Sequence, residues 1–497
     1  MIATTLADAA AAVGGRLAGG ADPEALITAE VVVDSRRVTP GSLFAAVVGE
    51  HADGHDFAEA AVRDGAVAVL ATRETGVPSI IVAETAGDAA ADGTGAVVEA
   101  LGRLARHVTD RLPQTAVVGI TGSSGKTSTK DLIAQVIAHA GETIAPPGSF
   151  NNEIGLPLTA LSAELATRHL VLEMGARGVG HIAYLCGVVP PRIGVVLNVG
   201  TAHLGEFGDR ATIAKAKGEL VEALPADGVA VLNADDPLVR AMAERTRARV
   251  VFFGEGASAD IRAQDVRLDP AGRASFTLRT PDGDAPVILR LYGEHHVANA
   301  LACAAVAREL GMGVGEIATA LGEAGSVSRW RMEVTERADG VTVVNDAYNA
   351  NPDSMRAALK ALAAMAGGRR TWAVLGEMRE LGDASLAEHD AIGRLAVRLN
   401  IGRLVAVGGR EAAWMDIAAK NEGSWGEESV LVPDTQAAVD LLRSELRAGD
   451  VVLVKASRGA ALERVALALL DDGADGAGGA GGTGGVHDAA AAGEVRR

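Results

Sequence analysis

The stretch Thr121-Gly122-Ser123-Ser124-Gly125-Lys126-Thr127 lies between an apolar run, Ala116 to Ile120, and a helix-like segment, Asp131 to Ala140. This order of strand, glycine loop, lysine and helix is typical of a loop that binds phosphate groups. Glycines let backbone N–H groups turn towards a polyphosphate, and the start of the helix adds positive potential. Lys126 supplies a point charge, and the Thr127 hydroxyl is a suitable Mg²⁺ ligand. The stretch predicts a nucleoside triphosphate site; the alternative is a turn rich in glycine and serine that binds nothing.

The loop has the short form Gly-x-x-Gly-Lys-Thr, because Ile120 stands five residues before Gly125, where the longer pattern has glycine. This motif predicts a ligand but does not name a reaction. The residues expected to contact the phosphates are Gly122, Ser123, Ser124, Gly125, Lys126, Thr127 and Ser128.

Length and composition limit the class of protein. A chain of 497 residues is too long for one ordinary core, so about three domains are expected. Hydrophobic residues make up 48% and charged residues 22%, which is typical of globular proteins. The net charge of -18 argues against nucleic acid as a partner, while specific anionic ligands still fit at local sites.

Cysteine use and the N-terminus bear on location. The two cysteines, Cys186 and Cys303, lie in apolar surroundings, which argues against a disulfide framework or a thiolate metal cluster. Residues 1–15 have no basic region before their alanine-rich stretch, and no run reaches the ~18 apolar residues that a membrane helix needs. We therefore expect a cytoplasmic protein that is neither secreted nor inserted in a membrane.

Apolar segments divide the chain into three predicted domains. Residues 1–111 contain short strands such as Glu30 to Val33 and Ala66 to Ala71, which indicate a small α/β module. In residues 112–328, apolar strands alternate with helical segments, which indicates a parallel sheet covered on both faces. The strands predicted there are Ala116 to Ile120, His169 to Met174, Ile193 to Val199 and Val229 to Leu232.

Residues 329–470 repeat this alternation and predict a second doubly wound sheet. Its predicted strands are Thr371 to Gly376, Leu404 to Gly408 and Val451 to Lys455. Residues 471–497 have almost no large apolar side chain, so we expect a disordered tail there. The predicted fold class is α/β with three domains: a small N-terminal α/β module, a central parallel sheet of the phosphate-loop ATPase type, and a C-terminal Rossmann-like domain.

Two polar residues follow strands of the central block, at the edge where ligands of open α/β sheets bind. Glu173 ends one apolar run, and a carboxylate beside a phosphate loop favours a Mg²⁺ ligand over a solvated strand end. His203 follows another strand; from the sequence alone it is equally well a surface or capping histidine.

The segments Ala202 to Gly208 and Ile213 to Leu220, taken with the phosphate loop and Glu173, resemble the central domain of the Mur ligases. These are ATP-dependent enzymes that form amide bonds in peptidoglycan precursor synthesis. Lys217 lies fourteen residues beyond His203, as the family pattern requires, whereas Lys215 is read as an ordinary solvated lysine. The resemblance covers nearly the whole chain except the tail.

The resemblance implies ATP and two Mg²⁺ ions as cofactors. It also implies that CO₂ carbamylates Lys217, which turns an ammonium into a carboxylate able to bind the second ion. The implied metal ligands are Thr127, Glu173, His203 and Lys217, and the implied catalytic residues are Lys126, Lys217 and His203.

Further motifs resemble nucleotide and substrate contacts of the family. Asn299 resembles the asparagine that reads the adenine edge, Arg331 the nucleotide-contacting arginine, and Asp346 the ribose-binding aspartate. The strings Asp346 to Met355 and Leu375 to Gly382 resemble the branch that adds preformed D-alanyl-D-alanine. The substrate-binding residues implied are Asn151, Asn152, Asn349, Asn351, Ser457 and Arg458, together with Ser35 and Arg36.

Ser35 and Arg36 belong to the string Asp34 to Arg37. This string and the string Gly49 to Phe57 resemble the family's recognition region for the UDP-sugar peptide. Read without the family, this is a solvated polar loop with two arginines. Residues 1–111 are then the UDP-sugar-peptide recognition domain and residues 112–328 the ATP-binding ligase domain.

The resemblance thus implies a ligase that joins D-alanyl-D-alanine to UDP-N-acetylmuramoyl-tripeptide through an acyl phosphate. The expected partners are these small molecules, and we expect a monomer. The alternatives are another Mur-type or folylpolyglutamate-like ATP-dependent ligase, and a nucleotide-binding protein without catalysis. The five residues Lys126, Thr127, Glu173, His203 and Lys217 together disfavour the last, because a mere binder does not need a second metal site.

Overall fold

The structure is a computed structural model, and it describes residues 1–49, 51–83, 95–201, 204–423 and 426–475. Within these ranges the strands are β1 (Thr4–Thr5), β2 (Arg16–Ala18), β3 (Leu26–Ile27), β4 (Val31–Val32), β5 (Leu43–Ala45), β6 (Ala68–Ala71), β7 (Ser79–Ile81), β8 (Ala116–Thr121), β9 (Thr143–Ile144), β10 (His169–Glu173), β11 (Ile193–Val196), β12 (Val229–Asn233), β13 (Arg249–Gly254), β14 (Ile261–Leu268), β15 (Arg273–Thr280), β16 (Gly283–Tyr292), β17 (Glu333–Glu336), β18 (Thr342–Asn345), β19 (Thr371–Leu375), β20 (Arg403–Val407), β21 (Ser429–Val432) and β22 (Val451–Lys455).

The helices of the same ranges are α1 (Leu6–Val13), α2 (Ala58–Arg63), α3 (Ala96–Asp110), α4 (Lys126–Ile137), α5 (Gly155–Leu161), α6 (His181–Val188), α7 (Leu204–Phe207), α8 (Arg210–Glu222), α9 (Pro237–Arg240), α10 (His296–Glu309), α11 (Val314–Glu323), α12 (Pro352–Met365), α13 (Ser385–Arg398), α14 (Arg410–Glu422), α15 (Thr435–Glu445) and α16 (Glu463–Asp475).

The N-terminal part forms a sheet of strand order β2-β7-β6-β5-β4, parallel from β7 to β4, beside the small antiparallel pair β1 and β3. Helix α3 joins this part to the centre of the molecule. Its Leu101 and Leu104 share one apolar core with Leu156 and Leu161 of α5, so the two parts pack together. A small α/β module is confirmed.

The central sheet has the strand order β16-β15-β14-β13-β12-β11-β8-β10-β9. From β14 to β9 neighbouring strands are parallel, as predicted, because strands such as β8 and β10 are apolar and buried on both faces. The antiparallel pairs of β14 with β15 and of β15 with β16 were not predicted. The sequence feature that indicates these strands is an apolar residue at every second position of β16. The apolar residues Ala285, Val287, Leu289 and Leu291 are buried, and the residues between them are exposed.

The C-terminal sheet has the order β17-β18-β22-β19-β20-β21 and is parallel except for β17. Two apolar clusters cover its two faces, as the predicted doubly wound domain requires. The first helix of this domain begins sharply. Asn351 accepts a hydrogen bond from Ser354 N (2.9 Å), Ser354 Oγ accepts one from Asn351 N (3.0 Å), and Pro352 follows the cap.

The last helix, α16, corrects the predicted start of the tail. It continues to Asp475, past residue 471, where the tail was predicted to begin, because the helix is anchored by buried Val465 and Leu469. Residues 476–497 lie outside the described residues, so that part of the tail prediction stays a prediction. None of the helices that the structure describes combines the length and apolar character needed to cross a bilayer.

Candidate active site

The phosphate loop connects β8, in the middle of the central sheet, to α4. Gly125 caps the helix with a φ of +81°, a conformation that favours glycine. A Cβ at this position would lie 3.0 Å from Asn299 Oδ1 at the start of α10. Lys126 Nζ donates to Gly122 O at 2.8 Å, so the ammonium lies across the mouth of the loop. This is the geometry of a phosphate cradle.

Glu173 ends β10, the strand beside β8, and is 1% exposed. Its carboxylate accepts hydrogen bonds from Thr127 Oγ1 (2.7 Å), Ser149 Oγ (2.9 Å) and Asn151 Nδ2 (2.7 Å). Burial alone would raise the pKa of Glu173, but nearby Lys126 and these hydrogen bonds outweigh burial and lower it. The site therefore holds an ionised carboxylate against the phosphate loop.

Lys217 lies on α8 and is 3% exposed, whereas Lys215 on the same helix is exposed. Among the described residues, Lys217 Nζ has no hydrogen-bond partner. Burial, reinforced by the charge of Lys126, holds the pKa of Lys217 well below its usual range. Burial close to Lys126 therefore favours the neutral form of this amine.

Asn198 is a residue of the site that the sequence reading missed. Its Oδ1 accepts from Ser123 N and Ser124 N at 3.0 Å each, and its Nδ2 donates to Ser124 O at 3.1 Å. The strand predicted over Ile193 to Val199 ends in the structure at Val196, so Asn198 lies in the loop and grips the phosphate-binding backbone. A polar side chain near the carboxyl end of β11 was the available signal.

The C-terminal domain brings its own strand ends to the same place. Asp346 follows β18, Lys455 ends β22, and the two form an ion pair of 2.6 Å. Ser457 Oγ accepts from Arg379 N at 2.9 Å and donates to Ala350 O at 3.3 Å, so this buried hydroxyl connects two loops. Ser457 was predicted to bind substrate; in the structure its hydroxyl lines the cavity but is engaged within the protein.

Two arginines of the site are held against aromatic rings. The Arg331 guanidinium lies 4.2 Å from the centroid of Tyr348, and that of Arg458 lies 4.3 Å from the centroid of Trp330. Among the described residues, Arg331 Nε is buried without a hydrogen-bond partner. A cation in this state suits an anionic ligand.

The central and C-terminal domains touch directly beside the phosphate loop. Thr201 N donates to Asp353 Oδ2 at 3.1 Å, and Asn351 Nδ2 donates to Ser123 O at 3.4 Å. Gly205 N donates to Glu380 O at 3.0 Å, which places α7 against the loop after β19. The structure therefore shows the two domains closed on one another.

A cavity of about 700 Å³ lies between these domains, large enough for a nucleotide. It brings together most of the predicted site residues: Ser123, Ser124, Gly125, Lys126, Thr127, Ser128, Asn151, Asn152, Glu173, Asn299, Arg331, Asp346, Asn349, Asn351, Ser457 and Arg458. Lys217 is buried and is not one of the lining residues. Gly122 is not a lining residue either, but its carbonyl oxygen accepts a hydrogen bond from Lys126, which lines the cavity. His203 lies outside the described residues.

Ser35 and Arg36 do not belong to this cavity. The Arg36 guanidinium is exposed and pairs with Asp34 at 2.7 Å. Asn152 has a structural contact as well, because its Oδ1 accepts from Gly155 N at 2.9 Å and so holds the turn that leads into α5. Ser35 and Arg36, which were predicted to bind the UDP-sugar peptide, therefore do not line the nucleotide-sized cavity.

Comparisons with known proteins agree with this geometry. Family models match the chain at residues 28–109 (Mur ligase family, catalytic domain), 120–307 (Mur ligase middle domain) and 330–458 (Mur ligase, glutamate ligase domain). The UDP-N-acetylmuramoyl-tripeptide--D-alanyl-D-alanine ligase of Mycobacterium leprae is 52% identical, over 95% of this chain and 99% of that protein. This chain belongs to the Mur ligase family.

Solved Mur ligases also share its architecture. MurF from Acinetobacter baumannii superposes with a TM-score of 0.82 at 30% identity, over 94% of this chain and 99% of that one. MurF from Thermotoga maritima, solved in complex with ADP, has a TM-score of 0.76 at 32% identity, over 91% of this Mur ligase and 99% of that chain. The three-domain α/β fold is therefore confirmed.

Proposed function

We propose that this Mur ligase uses ATP to join D-alanyl-D-alanine to UDP-N-acetylmuramoyl-tripeptide in peptidoglycan precursor synthesis. The observation that carries the proposal is the cavity between two domains, where a phosphate loop meets the strings that resemble the D-alanyl-D-alanine branch. The relative from Mycobacterium leprae, 52% identical over 95% of this chain, carries the name of this activity.

The reaction needs an activated carboxyl group. The terminal carboxylate of the tripeptide attacks the γ-phosphorus of ATP, and ADP leaves as the acyl phosphate forms. The dipeptide amine then attacks the acyl carbon, releases phosphate and gives up a proton, which leaves the new amide bond. Lys126, at the mouth of the phosphate loop, stabilises the charge on the phosphoryl group as it is transferred.

The donor set beside the phosphate loop fits Mg²⁺. Thr127 Oγ1 and the Glu173 carboxylate touch at 2.7 Å, and both are hard oxygen ligands of the kind Mg²⁺ prefers. When bound, Mg²⁺ neutralises charge on the phosphates. We propose that Thr127 and Glu173 hold one ion, and that Lys217, carbamylated, and His203 hold a second.

Carbamylation of Lys217 is supported by its burial. The reaction with CO₂ requires a neutral amine, and burial beside Lys126 lowers the pKa of Lys217 in that direction. The carbamate would place a negative charge near the Lys126 ammonium, where the unmodified amine of Lys217 has no hydrogen-bond partner among the described residues.

Closure of the C-terminal domain protects the acyl phosphate from water. The contacts of Asp353 and Asn351 with the central loops hold the domains together over the cavity. We propose that substrates enter an open form, and that nucleotide and tripeptide favour the closed one. A radius of gyration from X-ray scattering that stays the same with and without substrates would contradict this motion.

The N-terminal domain would bind the UDP end of the acceptor through Ser35 and Arg36. Arg36 is exposed, and its pairing with Asp34 leaves other donors of the guanidinium for a diphosphate. We further propose a cytoplasmic monomer, because ATP is supplied in the cytoplasm and one chain provides every residue of the cavity.

The test is phosphate release from ATP by the purified protein with UDP-N-acetylmuramoyl-tripeptide and D-alanyl-D-alanine, each also omitted in turn. We expect release only with both, and a product heavier by the dipeptide. Lys126→Met should abolish release, whereas the exposed Lys215→Met should not. Release with a different acceptor pair would point to a sibling ligase, and no turnover with any acceptor to a binding protein.

A further inference from the structure

Lys455 is a buried cation of the cavity to which no role has so far been given. It is 2% exposed and ends β22, which runs parallel to β18 with Val454 opposite Asn345. Because the two strands are in this register, the next residues, Asp346 and Lys455, leave the sheet side by side at its carboxyl edge. That edge faces the nucleotide-sized cavity.

All three hydrogens of the Lys455 ammonium have acceptors within the protein. Nζ donates to Asp346 Oδ2 at 2.6 Å, to Asn349 O at 2.9 Å and to Asp346 O at 3.3 Å. An ammonium has three donors, so none is left over for a ligand in this arrangement. The Lys455 side chain thus binds the loop of residues 346–349 both at a side-chain oxygen and at backbone oxygens of the loop.

Asp346 also binds the segment that connects the central and C-terminal domains. While Oδ2 accepts from Lys455, Oδ1 accepts from Met332 N at 3.1 Å. Met332 and Trp330 both have left-handed backbone conformations, with φ of +49° and +59°, which cost free energy for residues other than glycine. Arg331 lies between them and is aimed into the cavity, so its placement depends on contacts such as the one with Asp346.

We infer that Lys455 is a positioning residue for the nucleotide. It fixes the Asp346 carboxylate, and through Asp346 it fixes the strained segment 330–332 that presents Arg331. It also neutralises Asp346, which would otherwise be a partly buried negative charge in a cavity that must accept a polyanion. This inference rests on the proposed function, in which Asp346 and Arg331 contact ATP.

Two other roles give different results from this one. A lysine that binds phosphate directly would act independently of Asp346. An ion pair that only holds the fold together would change stability without a specific effect on nucleotide affinity. A double-mutant cycle separates these roles, since coupling appears only where one residue acts through the other.

The experiment compares Lys455→Met, Asp346→Asn and the double variant. The dissociation constant of ADP is measured by calorimetry, and kcat and KM for ATP by phosphate release. We expect Lys455→Met to weaken ADP by about tenfold and to raise KM for ATP more than it lowers kcat. The double variant should bind ADP no more weakly than Lys455→Met does, because removing the charge of Asp346 removes the uncompensated carboxylate.

The matched control is Arg403→Met, which breaks a salt bridge with Glu445 at the opposite edge of the same sheet. It should lower the melting temperature and leave ADP affinity unchanged. Lys455→Arg keeps the charge and should bind ADP within about threefold of the original chain; it serves as the second variant if Lys455→Met does not fold.

Additive losses in the double variant would overturn the inference in favour of a direct phosphate contact. Unchanged ADP affinity in Lys455→Met would overturn it in favour of a purely structural ion pair. A loss of ADP affinity of about tenfold in Lys455→Arg, which keeps the charge, would overturn it in favour of a direct contact of the lysine ammonium with the nucleotide. ADP binding needs no acceptor substrate, so these outcomes are distinct from a failure of the proposed ligase reaction in the unmodified chain.

Discussion

Replacing Gly205 by alanine should prevent the central and C-terminal domains from closing. A Cβ built on Gly205 lies 2.7 Å from Gly382 N and 3.1 Å from both Glu380 O and Gly382 Cα, all of them backbone atoms that cannot turn away. An ordinary contact of carbon with another heavy atom needs about 3.5 Å, so the two loops must separate by roughly 0.8 Å. The same separation breaks or stretches the hydrogen bond from Gly205 N to Glu380 O.

This displacement acts where the two halves of the site meet. Because a misplacement of ~1 Å in a positioned reaction can cost about 100-fold, we expect kcat of Gly205→Ala to fall by about 10- to 100-fold. ADP affinity should fall less than kcat does, since the phosphate loop, Glu173 and Asn198 belong to the central domain and only Arg331 and Asp346 move with the C-terminal domain. The measurements are steady-state phosphate release with UDP-N-acetylmuramoyl-tripeptide and D-alanyl-D-alanine, and calorimetry with ADP.

Gly187→Ala is the control, because a Cβ there meets nothing within 4 Å in α6. It should keep full activity and gain up to about 1 kcal/mol of stability from the better helix former. A Gly205→Ala variant with the same kcat as Gly187→Ala would refute the reasoning, since the closed contact would then not be needed for turnover.

Three other predictions concern single side chains. Lys217→Ala should abolish ligation and regain part of it with added short-chain carboxylates; full activity without them would exclude the carbamate. Asn152→Ala should lose about 1 kcal/mol in urea unfolding through loss of the hydrogen bond that its side chain accepts from Gly155 N before α5. Burial would raise the pKa of Asp53, but hydrogen bonds from His55 and Arg73 lower it from 3.8 to about 2. The Asp53 carboxylate therefore stabilises the fold above about pH 4, and this contribution of up to ~2 kcal/mol is lost as pH falls towards 2; Asp53→Asn should flatten that pH dependence of unfolding.

Much of the site could be predicted because its elements are local in sequence. The phosphate loop, α4 and the strand before it lie within residues 116–137, and backbone geometry fixes their relation. Glu173 was predicted from its place at a strand end, and parallel pairing of β10 with β8 does bring it beside Thr127. The antiparallel strands β15 and β16 were not predicted, although every second residue of β16 from Ala285 to Leu291 is apolar, because the prediction for this part of the chain rested on apolar strands that alternate with helices.

Contacts between domains could not be predicted in the same way. Ser35 and Arg36 resemble substrate-binding residues, yet nothing in their local sequence tells how far they lie from the phosphate loop. Asn198 contacts Ser123 across 75 residues. Its side-chain amide can bind the phosphate loop only because β11 pairs with β8 in the sheet. Ser457 illustrates the reverse case, since a motif that indicated substrate contact proved to contain a hydroxyl that joins two loops.

The sequence by itself determined several of the buried parallel strands, the phosphate cradle and the family, because these depend on side chains close together along the chain. Only the tertiary structure decided which charges meet: Lys455 binds Asp346 across 109 residues, and Asn351 reaches Ser123 across 228. The physical reason is that an ion pair or a domain contact requires a distance of a few ångströms in space. That distance is set by the packing of the sheets and is not encoded by either residue alone.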